Sequence, residues 1–118
     1  MKIENIKFKA KRLDNGEWIE GEISHFENTI WIVPIDHKPF YSGCAEVDPC
    51  TICMFTGLKD KNGTPIYEGD IVMYKDNNAE RRGDINWDSK AAAFCFGQDF
   101  LVHYHSEDMV VVGNKFDK

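Results

Sequence analysis

The sequence of residues 6–16 in this 118-residue chain is IKFKAKRLDNG. Its first six residues alternate between apolar side chains and lysines, and this period of two is typical of a half-buried β-strand. The dipeptide Asn15-Gly16 follows, and both residue types tolerate the positive φ of a tight hairpin turn. The stretch therefore predicts a first strand, a turn and a second strand over residues 17–26.

The same pattern continues along the chain, where short β-branched and aromatic runs alternate with polar turns. Further strands are predicted at residues 29–33, 51–55, 71–74, 83–87, 92–96, 101–105 and 109–112. Turns or longer connections are predicted at residues 36–49, 57–63, 68–70, 76–78 and 88–90. No long window keeps a helical period, and closely spaced turns are typical of a small barrel or sandwich. We predict an all-β fold.

The domain organisation follows from this spacing of strands. Residues 1–118 are expected to form a single domain, because the chain has the length of one. Within it, residues 1–54 are predicted to form a β-meander or hairpin subregion. This subregion is expected to pack with an SH3-like small barrel formed by residues 55–118.

The charge balance bears on partners and location. The chain carries 14 Lys and Arg against 20 Asp and Glu, a net charge of −6, and both halves share the acidic surplus. Binding to nucleic acid requires cations that displace counterions, so this balance disfavours it. The chain has no membrane-length apolar run, and its first residues lack the apolar core of a signal peptide. We expect a cytoplasmic protein with four reduced thiols, Cys44, Cys50, Cys53 and Cys95.

The centre of the chain resembles a known family. The matching segments are residues 47–49 (VDP), 51–52 (TI), 55–63 (FTGLKDKNG) and 66–72 (IYEGDIV), and the ends, 6–10 and 112–117, are also similar. The sequence resembles the YopX family of bacterial phage and prophage proteins over nearly its whole length. The resemblance implies a predominantly β fold with a barrel-like part. It supplies no established catalytic residue and no cofactor.

We interpret the family motif as mainly structural. Its glycines mark positions where the backbone excludes a Cβ atom, its apolar side chains can supply core area, and its short polar side chains can bond their own turn. The motif residues are Phe55, Thr56, Gly57, Leu58, Asp60, Asn62, Gly63, Tyr67, Glu68, Gly69 and Asp70. The alternative is that this block forms a recognition surface.

Two metal or cofactor patterns are incomplete. Cys50 and Cys53 have the spacing of a zinc knuckle, but a strand-like Thr51-Ile52 between them would point them to opposite faces. His103 and His105 are predicted on one strand face, yet no carboxylate follows at the spacing of a cupin metal site. We predict no metal and no cofactor; ordinary thiols and solvated histidines fit these positions better.

Other catalytic patterns also fall short. The interval from Gly57 to Gly63 is one residue too long for a phosphate-binding loop, and Gly63 is not followed by Lys. Glu68 and Asp70 could act as paired carboxylates, but a polar turn explains them better. We therefore predict that the protein is not an enzyme and has no catalytic residues.

A basic strand face is the one candidate for nucleic-acid contact. It comprises Lys7, Lys9 and Lys11, and the pair Arg81 and Arg82 adds a second basic site. The alternative is that these lysines are solvated and discourage edge-to-edge pairing of strands.

The function that fits these observations best is that of a phage or prophage accessory protein. We expect it to act by protein–protein contact, with an unknown partner or with a second copy of itself. Trp18, Trp31 and Trp87 are candidate contact residues if exposed, because Trp is enriched in binding hot spots. The alternative, which we favour, is that they belong to the core. The alternative functions are nucleic-acid binding through the basic strand and, as a weaker candidate, metal binding.

Overall fold

The computed structural model describes residues 2, 5–34, 43–75 and 80–117. All of its strand pairs are antiparallel, and among the described residues the only helical segments are short 3₁₀ turns. The predicted all-β fold is confirmed. The chain divides into two compact units, Met1–Phe55 and Thr56–Lys118.

The first unit is an antiparallel sheet with the strand order β4-β3-β2-β1-β5. Its strands are β1 (Phe8–Lys11), β2 (Trp18–Phe26), β3 (Thr29–Val33), β4 (Ala45–Glu46) and the first residues of β5 (Cys53–Lys59). The hairpin predicted from the opening pattern is present, with Ala10 opposite Ile19 and Lys11 opposite Trp18.

The alternation in β1 determines which side chains enter the first core. Ala10 is fully buried with Ile32 and Val47, and partly buried apolar residues of β1, β2 and β3 surround them. The lysines alternate with these residues and therefore lie on the other face of the strand. Gly21 in β2 is required by close packing, because a Cβ atom there would lie 2.1 Å from the carbonyl oxygen of Val33.

The second unit contains a five-stranded antiparallel sheet with the order β10-β9-β8-β7-β11. The strands of this sheet are β7 (Asp70–Lys75), β8 (Glu80–Asp88), β9 (Ala93–Phe96), β10 (Asp99–Phe100) and β11 (Met109–Asn114). The second unit also contains β6 (Pro65–Tyr67), which pairs with β5. This strand count is compatible with the predicted SH3-like barrel.

The core of the second unit is built from alternate residues of these strands. Its buried members are Ile66, Val72, Tyr74, Ile85, Phe96, Leu101 and Met109. Each such side chain stabilises the fold by about 1.5–3 kcal/mol relative to an exposed position. Leu58, Phe94 and Tyr104 are only partly buried against this core, and their accessible parts line a groove on the surface of the second unit.

One predicted strand is wrong. Residues 101–105 were expected to be extended, but Leu101–His103 is a 3₁₀ helix, followed by a second one at Ser106–Asp108. Local hydrogen bonds explain the difference, because the amide of Tyr104 donates to the carbonyl of Leu101 and Asp108 donates to His105. The two imidazoles therefore do not share a strand face.

Other boundaries also differ from the prediction, most of them by a few residues at a strand end. The strand expected from residue 51 begins at Cys53, because Pro49–Thr51 forms a 3₁₀ turn capped by the Asp48 side chain. The turn expected from residue 57 begins only at Asp60, because β5 continues to Lys59. The connection expected at residues 36–49 contains β4, while its residues 36–42 and the turn at 76–78 lie outside the described residues.

Candidate functional site

The turn after β5 is organised by the Asp60 side chain. One carboxylate oxygen accepts hydrogen bonds from the backbone amides of Asn62 and Thr64 at 2.8 and 2.9 Å. The other accepts from the amide of Val111 in β11 at 2.9 Å. Because β11 is an edge strand of its sheet, this contact satisfies a backbone donor that would otherwise be available to another chain.

The next part of the family motif surrounds Asp70. Its carboxylate is fully buried and accepts from the backbone amide of Tyr67 at 2.7 Å and from the side-chain amide of Asn114 at 2.9 Å. Gly69 adopts φ +88°, and its carbonyl accepts from the amide of Lys115 at 2.9 Å. These contacts join the β6–β7 turn to the end of β11.

The basic strand face is occupied by contacts within the first unit. The Lys7 ammonium lies 3.5 Å from a carboxylate oxygen of Glu20 and over the ring of Phe55. Lys9 and Lys11 both lie over the ring of Trp18, 4.8 and 5.5 Å from its centroid. The three cations are thus brought together, and each has an aromatic or acidic partner on its own unit.

The arginine pair belongs to the second unit, whereas the three lysines belong to the first. Arg81 and Arg82 lie in the second unit, on β8, where consecutive side chains point to opposite faces of the sheet. The Arg81 guanidinium is paired with Asp99 at 3.0 Å and also donates to the hydroxyl of Tyr104.

The cysteines and histidines lie in different local environments. Cys50 is exposed on the 3₁₀ turn, while Cys53 is buried and its thiol donates to the carbonyl of Thr51 at 3.3 Å. His105 lies 3.7 Å from Glu107. Among the residues that the structure describes, no group of three or more His, Cys, Asp or Glu is placed to hold a metal ion.

The second unit carries an apolar groove on its surface. It has a volume of about 610 Å³ and is lined by residues of β5, β9, β10 and both 3₁₀ helices that follow. Its main apolar side chains are Leu58, Phe94, Phe100, Leu101, Val102 and Tyr104. This volume lies in the range of about 300–1,000 Å³ that is typical of ligand sites.

Two of these apolar side chains are largely solvent-accessible. Val102 is 82% exposed and Phe100 is 41% exposed. Trp87 adds a third, since it is 46% exposed and packs edge-on against Phe94 with the ring centroids 5.0 Å apart. Of the three tryptophans proposed as contact residues, Trp87 is exposed, whereas Trp18 and Trp31 are partly buried.

A polar cluster fixes one wall of the groove. The Tyr104 hydroxyl donates to Asp99 at 2.6 Å, and Arg81 bonds both groups. The hydrogen bond from Tyr104, followed by that from Arg81, lowers the pKa of the Asp99 carboxyl, and the same bond to Asp99 raises the pKa of Tyr104. Tyr104 also makes edge-on ring contacts with Tyr74 and Phe96. Hydrogen bonds therefore fix its hydroxyl group, and packing contacts fix its ring.

Sequence reasoning missed this groove. Phe94, Phe100 and Val102 are apolar residues of types that are usually buried. Whether they are exposed depends on how β9 and the 3₁₀ helices pack. The sequence did point to Trp87 as a possible contact residue. The alternating pattern of its strand, however, places Trp87 on the same face as Ile85, and only Ile85 is buried.

The fold and the groove define a small antiparallel β protein with an apolar groove on the surface of its second unit. The chain belongs to the YopX family, because the family model described as YopX protein matches residues 3–118. No curated protein and no solved structure matches this chain. Among the described residues there is no helix long and apolar enough to cross a membrane.

Proposed function

We propose that this protein is a cytoplasmic, phage- or prophage-encoded accessory protein that acts by binding another protein through the groove of its second unit. Its role in this proposal is binding, not catalysis. The observation that carries the proposal is the exposure of Phe100 and Val102 along an apolar groove. Contiguous exposed apolar surface on a small protein is a mark of an interaction site.

The aromatic composition of the surface supports this role. Trp87 is exposed next to Phe94, so the apolar surface extends beyond the groove itself. Tryptophan and tyrosine supply a large share of the binding free energy at protein interfaces. A partner that covers Val102 and Trp87 would bury two side chains that water now contacts.

The rigidity of one wall also supports binding. Hydrogen bonds with Asp99 and Arg81, together with ring contacts to Tyr74 and Phe96, hold Tyr104 in position. A surface that is ordered before the partner arrives loses less conformational entropy on binding.

Protein binding is favoured here over nucleic-acid binding. Lys7 is paired with Glu20, and Lys9 and Lys11 stack on Trp18. Each of these contacts would compete with a phosphate for the same ammonium group. The net charge of −6 adds long-range repulsion of a polyanion.

The proposal is tested by affinity capture from a host lysate with quantitative mass spectrometry. The baits are the wild-type protein, Val102→Asn in the groove, and Val112→Asn, which changes a 48% exposed valine on β11 outside the groove. We expect partners that the wild type and Val112→Asn retain saturably, and that Val102→Asn retains about tenfold less. This factor corresponds to the roughly 1.5 kcal/mol of one buried valine. Equal retention by all three baits would contradict the proposal.

A further inference from the structure

The charges around the groove are unevenly distributed. None of the described residues that line the groove is a lysine or arginine, and His105 is among them. The one carboxylate among them is that of Glu107, which lies 3.7 Å from the Nδ1 atom of His105. The Glu107 side chain is 73% exposed, so the carboxylate stays hydrated and accessible to a partner. Asp108 follows it in the same 3₁₀ helix. We call Glu107, which lines the groove, together with Asp108, which lines the neighbouring depression, the acidic end of the groove.

The other charged groups close to the groove compensate one another. Arg81 and Asp99 form an ion pair at 3.0 Å, which also holds the hydroxyl of Tyr104. This pair leaves little net charge beside the Tyr104 wall. The acidic end is therefore where a charged group on a partner would gain most.

A neighbouring depression limits how many cations a partner can bring. It shares Glu107 and Asp108 with the acidic end, and Lys61, Lys75 and Glu80 also line it. A run of several basic residues would meet the two lysines there. A single cation that approaches from the groove meets the Glu107 carboxylate beside the His105 imidazole and away from the two lysines.

From this arrangement we infer that the occupant of the groove is a short segment of a protein partner that carries apolar side chains next to one Lys or Arg. The apolar side chains cover Phe100 and Val102, and the cation lies against the acidic end. Complementary charge of this kind orients a partner and increases specificity more than it increases affinity. The inference rests on the proposed function, since it specifies the chemistry of the partner for the same groove.

The test is a selection of short random peptides displayed on phage against the folded, full-length protein. Selected peptides are synthesised, and their affinities are measured for the wild type, for Val102→Asn and for Glu107→Lys. The control for charge is Glu22→Lys, which reverses an exposed carboxylate on β2 in the other unit. Circular dichroism verifies that each variant is folded.

The inference predicts that selected peptides combine apolar residues with an adjacent Lys or Arg. Their affinity should fall about tenfold on Val102→Asn. It should fall about fivefold on Glu107→Lys, as for an exposed ion pair that is lost, and stay unchanged on Glu22→Lys.

Three other outcomes would overturn the inference. Peptides that depend on Val102 but show no basic preference and ignore Glu107→Lys would refute the charge assignment and leave the proposed function intact. Recovery of no peptide that depends on Val102 would refute both. Sedimentation that shows a dimer dissolved by Val102→Asn would identify a second copy of this chain as the occupant instead.

Discussion

The side-chain amide of Asn114 donates a hydrogen bond of 2.9 Å to the carboxylate of Asp70, although 44 residues separate them in the chain. Both residues are buried, Asp70 completely. The Asn114 side-chain oxygen in turn accepts from the amide of Phe116 at 2.9 Å. Asp70 of the family motif and Asn114 therefore belong to one buried hydrogen-bond network. This network connects the start of β7 with the end of β11.

Replacement of Asp70 by alanine should strongly destabilise the protein. The change removes the carboxylate that accepts buried hydrogen bonds from the Asn114 side-chain amide and the Tyr67 backbone N–H. Unsatisfied buried donors cost about 1–3 kcal/mol each, so we expect a loss of about 2–5 kcal/mol in the free energy of unfolding. Urea denaturation measures it. Glu80→Ala, on the exposed start of β8, is the matched control, and an equal effect of the two changes would refute this role of Asp70.

Because of Asp60, the free energy of unfolding should decrease at acidic pH. Burial alone raises the pKa of its carboxyl, but hydrogen bonds from the backbone amides of Val111, Thr64 and Asn62 outweigh burial, so the pKa lies below its ordinary value of 3.8. The charged form is therefore favoured in the folded state. Its contribution is fully present above the unfolded-state pKa of about 3.9 and is lost as the pH falls through the lower folded value.

The comparison of wild type with Asp60→Asn isolates this contribution. We expect the variant to be less stable at neutral pH and the difference to shrink below about pH 4, where the carboxyl of the unfolded wild type becomes protonated before that of the folded protein. Chemical denaturation at a series of pH values measures the difference. A gap between the two proteins that stays constant down to pH 2 would show that the Asp60 charge has no role.

Gly21 should tolerate no larger residue. A Cβ atom at this position would lie 2.1 Å from the Val33 carbonyl oxygen and 2.9 Å from the Cα atom of Pro34, and backbone atoms cannot rotate away. We expect Gly21→Ala to cost at least about 2 kcal/mol, as in other overpacked sites. Thermal unfolding measures this, with Ser24→Ala on the exposed part of β2 as the control. A stability of Gly21→Ala equal to that of the control would exclude the close approach.

The lysines of β1 should contribute to stability more than to nucleic-acid binding. Lys9 and Lys11 lie over Trp18, and such contacts are worth about 0.5–1 kcal/mol each at exposed sites. We expect the double change Lys9→Glu and Lys11→Glu, which removes both contacts, to lower the free energy of unfolding by about 1–2 kcal/mol. Fluorescence anisotropy with single-stranded DNA should show only weak binding by the wild type at low salt. Tight, salt-sensitive binding that the double change abolishes would instead support the nucleic-acid hypothesis.

The sequence predicted those elements whose structure is determined locally. The alternation around Phe8 and the Asn15-Gly16 turn gave the first hairpin, and the run that ends before Pro34 gave β3 with both of its boundaries. In these segments the period of the side chains and the turn residues indicate the same structure. The Asp60 side chain was likewise expected to form hydrogen bonds within its own turn. It does so, because it accepts hydrogen bonds from the backbone amides of Asn62 and Thr64.

The candidate site could not be predicted in the same way. The apolar residues near 100–102 are compatible with a strand, and only the packing of the 3₁₀ helix at Leu101–His103 leaves Val102 in solvent while it buries Leu101. The bond from Val111 to Asp60 spans 51 residues, and no local pattern encodes such a contact. Long-range packing therefore determines which apolar residues are available to a partner.

Amide chemical shifts of the isotope-labelled protein, titrated with a partner or with a selected peptide, test the docking surface most directly. The account predicts saturable shifts that concentrate at Phe94, at residues 100–107 and at the indole of Trp87, and that disappear in Val102→Asn. Shifts that concentrate instead at Lys7, Lys9 and Lys11, with the groove unaffected, would contradict it.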